Sequence, residues 1–142
     1  MIIYHPQLEE NRHNDSLVQT VDLFPTIMEF MQEGIPAGID GKSLLPLLFG
    51  SKKKVREMGL YSRHGDSVNV TDGEYTLFLM DPQKHQGHSR MYNVKKDPQQ
   101  RDNIIDEEKY LAHKFKKYAV DYLNRVDAEE TIINIAENAH LE

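Results

Sequence analysis

The chain has 142 residues, 39% of them apolar, a net charge of -6 and no cysteine. That length suits one domain or a piece of a larger one. The absence of cysteine excludes disulfides, thiolate metal sites and a cysteine nucleophile within these residues. No apolar run approaches the ~20 residues that a membrane helix needs, and Met1-Ile2-Ile3 meets His5 and Pro6 too soon for a signal-peptide pattern.

Charge is unevenly spread, with two basic and seven acidic residues in 1–50 against nine basic and six acidic in 51–100. The basic excess sits in Lys52, Lys53, Lys54 and Arg56, which read as a solvated loop. The acidic whole gives no general attraction to nucleic-acid backbones.

Ile2, Ile3 and Tyr4 form an apolar run the size of a buried strand end, and the polar residues 7–15 read as a loop. The stretch VDLFPTIMEF, residues 21–30, is amphipathic but contains Asp22 and Pro25. A proline is damaging inside a helix and harmless in its first turn. The two residues therefore predict a helix start, with Asp22 as N-cap accepting from a first-turn N–H. Phe24, Ile27, Met28 and Met31 are its expected buried face, and Gly34 its stop, with Pro36 beyond. Ser43 is expected to cap a short helix over Leu44–Leu48.

From residue 57 the pattern alternates with period two. EMGLYSR, SVNVT, EYTLFLM and SRMYNVK predict four strands of a small antiparallel sheet. Asp72-Gly73 suits a two-residue hairpin turn between the second and third. From about Asp106 the period is helical, with Tyr110, Leu111, Phe115, Tyr118, Ala119, Tyr122 and Leu123 as one stripe for the sheet to cover. A second helix is expected from Asp127, with Glu130 completing a capping box. Met1 and Leu141-Glu142 are read as additions outside the fold.

No self-contained active site is legible. A nucleophile elbow, a phosphate-cradling glycine loop and H-E-x-x-H are all absent. His85 and His88 lie in a loop without acidic companions, so no metal site is assigned to them. His64, at a strand end beside Gly65, is the candidate for facing a ligand, against the plainer reading of a turn histidine. Asn69-Val70-Thr71 matches a glycosylation sequon inside a strand and is discounted.

Three segments in this order resemble the C-terminal part of the sulfatase family, within the alkaline phosphatase-like superfamily. In SLVQTVDLFPTIMEFMQEGIP, Val21-Asp22, Pro25-Thr26, Ile27 and Gly34-Ile35-Pro36 stand at the family's places. GIDGKSLLPLLFG matches its aspartate-glycine-x-serine-leucine-x-proline stretch. In MYNVKKDPQQRDNI, Tyr92, Asp97, Pro98 and Asn103 match, with Gln100 for the usual glutamate and Ile104 for leucine.

The resemblance implies an α/β parent, with α+β character in these residues. Residues 1–50 would be the last strand and helix of the large α/β domain. Residues 51–142 would be a small C-terminal subdomain, a four-stranded antiparallel sheet packed on a helix. The parent would hydrolyse sulfate esters with a formylglycine nucleophile and calcium, both upstream of these residues. No Cys/Ser-x-Pro-x-Arg motif occurs here, so no catalytic or metal residue is assigned, and the chain is expected to be inactive alone. His64, with Arg63 and Asn69, is the expected contribution to a substrate subsite. The expected partners are the sulfate-ester substrate and the N-terminal catalytic domain. A homodimer or swap through the uncovered helix face is a further expectation, whereas nucleic acid and membrane are not expected. The alternatives are a stand-alone binding domain, and a phosphonate or phosphate monoester hydrolase of the same superfamily. Compartment is not legible.

Overall fold

Alternating hydrophobicity builds the sheet. The computed structural model describes all residues except 7, 9–12, 64, 85–87 and 142, together with the side chain of Arg63. Two compact units are present, 1–57 and 58–142.

In the second unit, β1 (Gly59–Arg63), β2 (Ser67–Thr71), β3 (Tyr75–Met80) and β4 (Arg90–Asn93) form an antiparallel sheet in sequential order. Leu60, Val70, Leu77 and Met91 are successive cross-strand neighbours, and Val68 pairs with Leu79. Period two puts these residues on one face, and α3 (Lys109–Arg125) and α4 (Glu130–Asn138) pack against it. Ala112, Phe115, Ala119 and Leu123 come from α3, and Ile135 and Ala136 from α4. Phe115 is fully buried, and burial of such a ring stabilises by about 2–3 kcal/mol.

Several expectations need correction here. Tyr110 lies outside the α3 stripe and is 86% exposed. The link from β2 to β3 runs over three residues, 72–74, and only Gly73 takes positive φ, at 90°. Asp72 serves it instead through its carboxylate, which accepts the N–H groups of Glu74 and Tyr75. Asp127 does not start a helix. It sits at φ 51° just past α3, with its own N–H on the Asn124 carbonyl and that of Ala128 on Leu123. That is a Schellman ending with aspartate where glycine is usual, and α4 begins three residues later without a side-chain cap. Leu141 is buried in the core rather than outside the fold. The segment leading to it is held by the Ser89 N–H on the His140 carbonyl and by Lys116 Nζ on the Ala139 carbonyl, 2.8 Å away. Burial pushes the Lys116 ammonium below its ordinary pKa, against the raising effect of Glu137.

The tyrosine-to-asparagine motif closes the loop after β4. Asn93 Oδ1 accepts from Lys95 and Lys96, Asp97 Oδ2 from Arg101 and Asp102, and Asn103 Oδ1 from Met91 and Ile105. Gln100, the departure from the family pattern, holds φ at 54°.

In the first unit, a 3-10 turn (Thr20–Asp22) leads into α1 (Leu23–Phe30), and α2 spans Leu45–Leu48. Asp22 is the positional N-cap of α1 but its side chain does not cap it. Instead Oδ2 accepts the Gln19 N–H at 2.7 Å, and Oδ1 accepts the Lys42 N–H at 2.8 Å together with Arg56. Thr26 Oγ1 donates to the Asp22 carbonyl and accepts the Leu44 N–H at 2.9 Å. A Cβ at Gly41 would land on the Val21 carbonyl and press on Pro25. The first two family motifs are thus stitched together by backbone-to-side-chain bonds, which explains their residue types.

Helix α1 ends earlier than expected. Gln32, not Gly34, takes the left-handed conformation, at φ 60°, and the Glu33 N–H reaches the Met28 carbonyl. The expected buried face is also overturned. Phe24, Ile27 and Met31 are 50%, 56% and 62% exposed, while Pro25 and Thr26 are buried. Ile2 and Tyr4, expected in a buried strand, form none and are 98% and 87% exposed. Ser43 precedes the N-cap of α2, Leu44, although its hydroxyl does accept the Leu45 N–H.

Candidate functional site

Two connections meet at one end of the sheet, the β1–β2 turn and the segment from β3 to β4. The first turns tightly, with Arg63 paired to Ser67 and Gly65 at φ 68°. Ser62 Oγ donates to the Ser67 carbonyl at 2.9 Å and braces the hairpin mouth. The second connection is tied to the first. The Asp81 N–H donates to the Asp66 carbonyl at 3.0 Å, and Lys84 Nζ lies 2.8 Å from Asp66 Oδ1 and 3.3 Å from the Gly65 carbonyl. The hydrogen bond to Asp66, and then its charge, hold the Lys84 ammonium above its ordinary pKa. The pair is exposed to solvent, so its contribution is to hold position rather than to add stability.

The sequence candidates fall as follows. Arg63 is the last residue of β1. His64, and likewise His85, lies outside the described residues. Asn69 is two residues inside β2, opposite Tyr61 and Phe78 on the face away from Val68 and Val70. It is 1% exposed, and its Oδ1 has no hydrogen-bond partner among the described residues. Ser67 and Thr76, also buried, share that face. Burial at that level also closes the sequon to a glycan in the folded chain.

The sequence did not single out Asp66, Asp81 and Lys84, which fix this end of the sheet, nor the polar residues of α4 that face it. Thr131, Asn134 and Asn138 line a cavity of about 210 Å³ together with Asp81, Gln83 and Ile135. Their i, i+3, i+7 spacing marks one helix face and was the available signal. Among the described residues no three His, Asp or Glu side chains stand together as a metal site requires. With no cysteine and no Cys/Ser-x-Pro-x-Arg, the sequence has no precursor motif for a formylglycine.

A family model described as N-sulphoglucosamine sulphohydrolase, C-terminal, matches residues 1–129. An arylsulfatase of Clostridium perfringens is 27% identical over 118 residues, which is 82% of this chain and 23% of that protein. Arylsulfatase K of Xenopus laevis is 37% identical over 54 residues, 38% of this chain and 10% of that one. Among solved structures, one from a Bacteroides thetaiotaomicron locus for metabolism of multiple glycosaminoglycans superposes with a TM-score of 0.73 at 21% identity. It covers 94% of this chain and 32% of that one. A second, described as a 2-O GAG sulfatase, superposes with a TM-score of 0.61 at 22% identity, covering 84% of this chain and 29% of that one. The chain spans about a quarter or less of the curated relatives' length.

Proposed function

The chain belongs to the N-sulphoglucosamine sulphohydrolase C-terminal family, and from that premise we propose that it works as the C-terminal part of a sulfatase whose reacting groups lie in the remaining length. The carrying observation is that all three family motifs serve hydrogen bonds that close the fold. Asp22 and Thr26 hold the backbone of Lys42 and Leu44, and Asn103 holds that of Met91. Asp22, Thr26 and Asn103, residues of the family motifs, are therefore engaged in architecture.

In this reading the whole protein hydrolyses a sulfate ester or the sulfamate of a saccharide, the latter being the substrate that the family's description names. The formylglycine and calcium belong to segments this chain does not contain. The contribution of residues 58–142 is a sheet end that borders the substrate, with Arg63 and His64 as the candidate contacts and Asn69, 1% exposed within β2, as a residue of the fold beside them. The first unit supports the large domain through α1. The Lys84–Asp66 pair and the Asp81 N–H keep the β1–β2 turn in one place, as a substrate-bordering turn requires.

The test is turnover by the purified 142-residue chain of 4-nitrophenyl sulfate and of N-sulfoglucosamine. No release of product above a no-enzyme control is expected. Turnover of either compound would overturn the assignment of the chemistry to another segment.

A further inference from the structure

We propose that the cavity between the 81–83 turn and α4 is a subsite for one neutral, hydroxyl-rich sugar ring. The cavity of about 210 Å³ is lined by Asp81, Gln83, Thr131, Asn134 and Asn138 around the apolar Pro82 and Ile135. Chemically the lining holds one carboxylate acceptor, the Gln83 and Asn134 amides, the Asn138 amide, whose Nδ2 already donates to the Asn134 carbonyl, and a hydroxyl that donates and accepts. Vicinal sugar hydroxyls require that mixture, and Ile135 offers an apolar surface to the C–H face of a ring.

The charge selects against an anion. Among the described residues no cation lines the cavity, and Asp81 does. A sulfate placed there would face a carboxylate with no compensating charge. Lys84, the nearby cation, is engaged by Asp66 and the Gly65 carbonyl. The volume falls below the ~300 Å³ at which pockets for larger ligands begin, so the cavity suits a single ring.

Placement adds a second argument. Asp81 lines the cavity, while its N–H holds the Asp66 carbonyl of the β1–β2 turn. The subsite is therefore tied through Asp81 to the turn assigned above to the substrate border, and in this respect it rests on the saccharide reading. Its other wall, α4, begins at Glu130, just beyond the residues that the family model matches. The subsite is thus built partly by a segment outside the family pattern, and it would select the unsulfated neighbour of the reacting sugar.

The experiment is a titration of the isotopically labelled 142-residue chain with methyl N-acetyl-glucosaminide, followed by amide chemical shifts. Saturable shifts are expected at Gln83, Thr131, Asn134 and Asn138. Both asparagines are exposed, so the N134A/N138A chain should keep its other resonances and lose at least about tenfold in affinity. Glucose 6-sulfate should bind about tenfold more weakly than the neutral sugar or not at all. Absence of saturable shifts, shifts centred elsewhere, undiminished binding by N134A/N138A, or preference for the sulfated sugar would each overturn the subsite. None of these would touch the sulfatase reading, which is decided by ester turnover.

Discussion

Arg56 donates through its guanidinium to Asp22 Oδ1, and the two side chains are 7% and 0% exposed. Arg56 also donates to Gln19 Oε1, while its Nε is without a partner among the described residues. The pair joins the start of α1 to the end of the first unit, with Lys42 N–H as a third point. Removing one partner leaves a buried charge uncompensated, which costs about 3–5 kcal/mol. Asp22→Ala is therefore expected to cost that amount, as seen by loss of amide exchange protection over residues 20–48. Amides of β2 and β3 should keep theirs, because every described partner of the Asp22 side chain lies within residues 1–57. Uniform loss across the chain, or none, would contradict this.

Asp97 carries a second acidic anchor. Its Oδ2 accepts the Arg101 N–H at 2.6 Å and the Asp102 N–H at 3.0 Å. Backbone donation, with Asp102 the largest contributor, holds its carboxyl below the ordinary carboxylate pKa despite some desolvation. A lowered folded-state pKa means the stabilisation is complete above the unfolded value, about pH 4. It is lost as pH falls through the lower folded value. The amide protons of Arg101 and Asp102 should titrate together with a midpoint below about pH 4. Asp97→Asn should abolish that titration. A midpoint at or above the ordinary value would refute the account.

The strands and α3 were legible because their burial repeats at two residues and at about 3.6, and packing within residues 58–142 honours both. Helix ends were less legible. Gln32 and Asp127 occupy left-handed positions where glycine was the natural expectation, because the backbone bonds of the Schellman ending compensate the strain. The face of α1 was misread for a different reason. Amphipathicity predicts that a face is to be covered, not that the cover lies in the same stretch of chain. The site was legible only to the position of the β1–β2 turn. Its anchors, Asp66, Asp81 and Lys84, come from two connections with no local pattern, and Thr131, Asn134 and Asn138 share one helix face whose polarity alone reads as a solvated surface.

That uncovered α1 face carries its own prediction. Leu23, Phe24, Ile27, Phe30 and Met31 are each between 42% and 62% exposed. Contiguous apolar surface of this kind drives association. The 142-residue chain should therefore form dimers or larger species by light scattering as concentration rises. Phe24→Glu with Ile27→Lys should shift it to monomer without loss of the sheet's amide protection, since both residues are at least half exposed. A wild-type chain that stays monomeric at millimolar concentration would remove α1 as an association surface.

Asn69 tests the buried polar face of β2. Its Oδ1 is buried with no hydrogen-bond partner among the described residues, a state that costs ~1–3 kcal/mol when nothing compensates it. Leucine has nearly the same shape and no polar atom to desolvate. Asn69→Leu should therefore leave the 142-residue chain equally stable or more stable by up to about 1 kcal/mol in urea denaturation. A loss of more than about 1 kcal/mol in the chain itself would mean that Oδ1 is satisfied by an ordered water. The asparagine would then be explained by its hydrogen bond to that water.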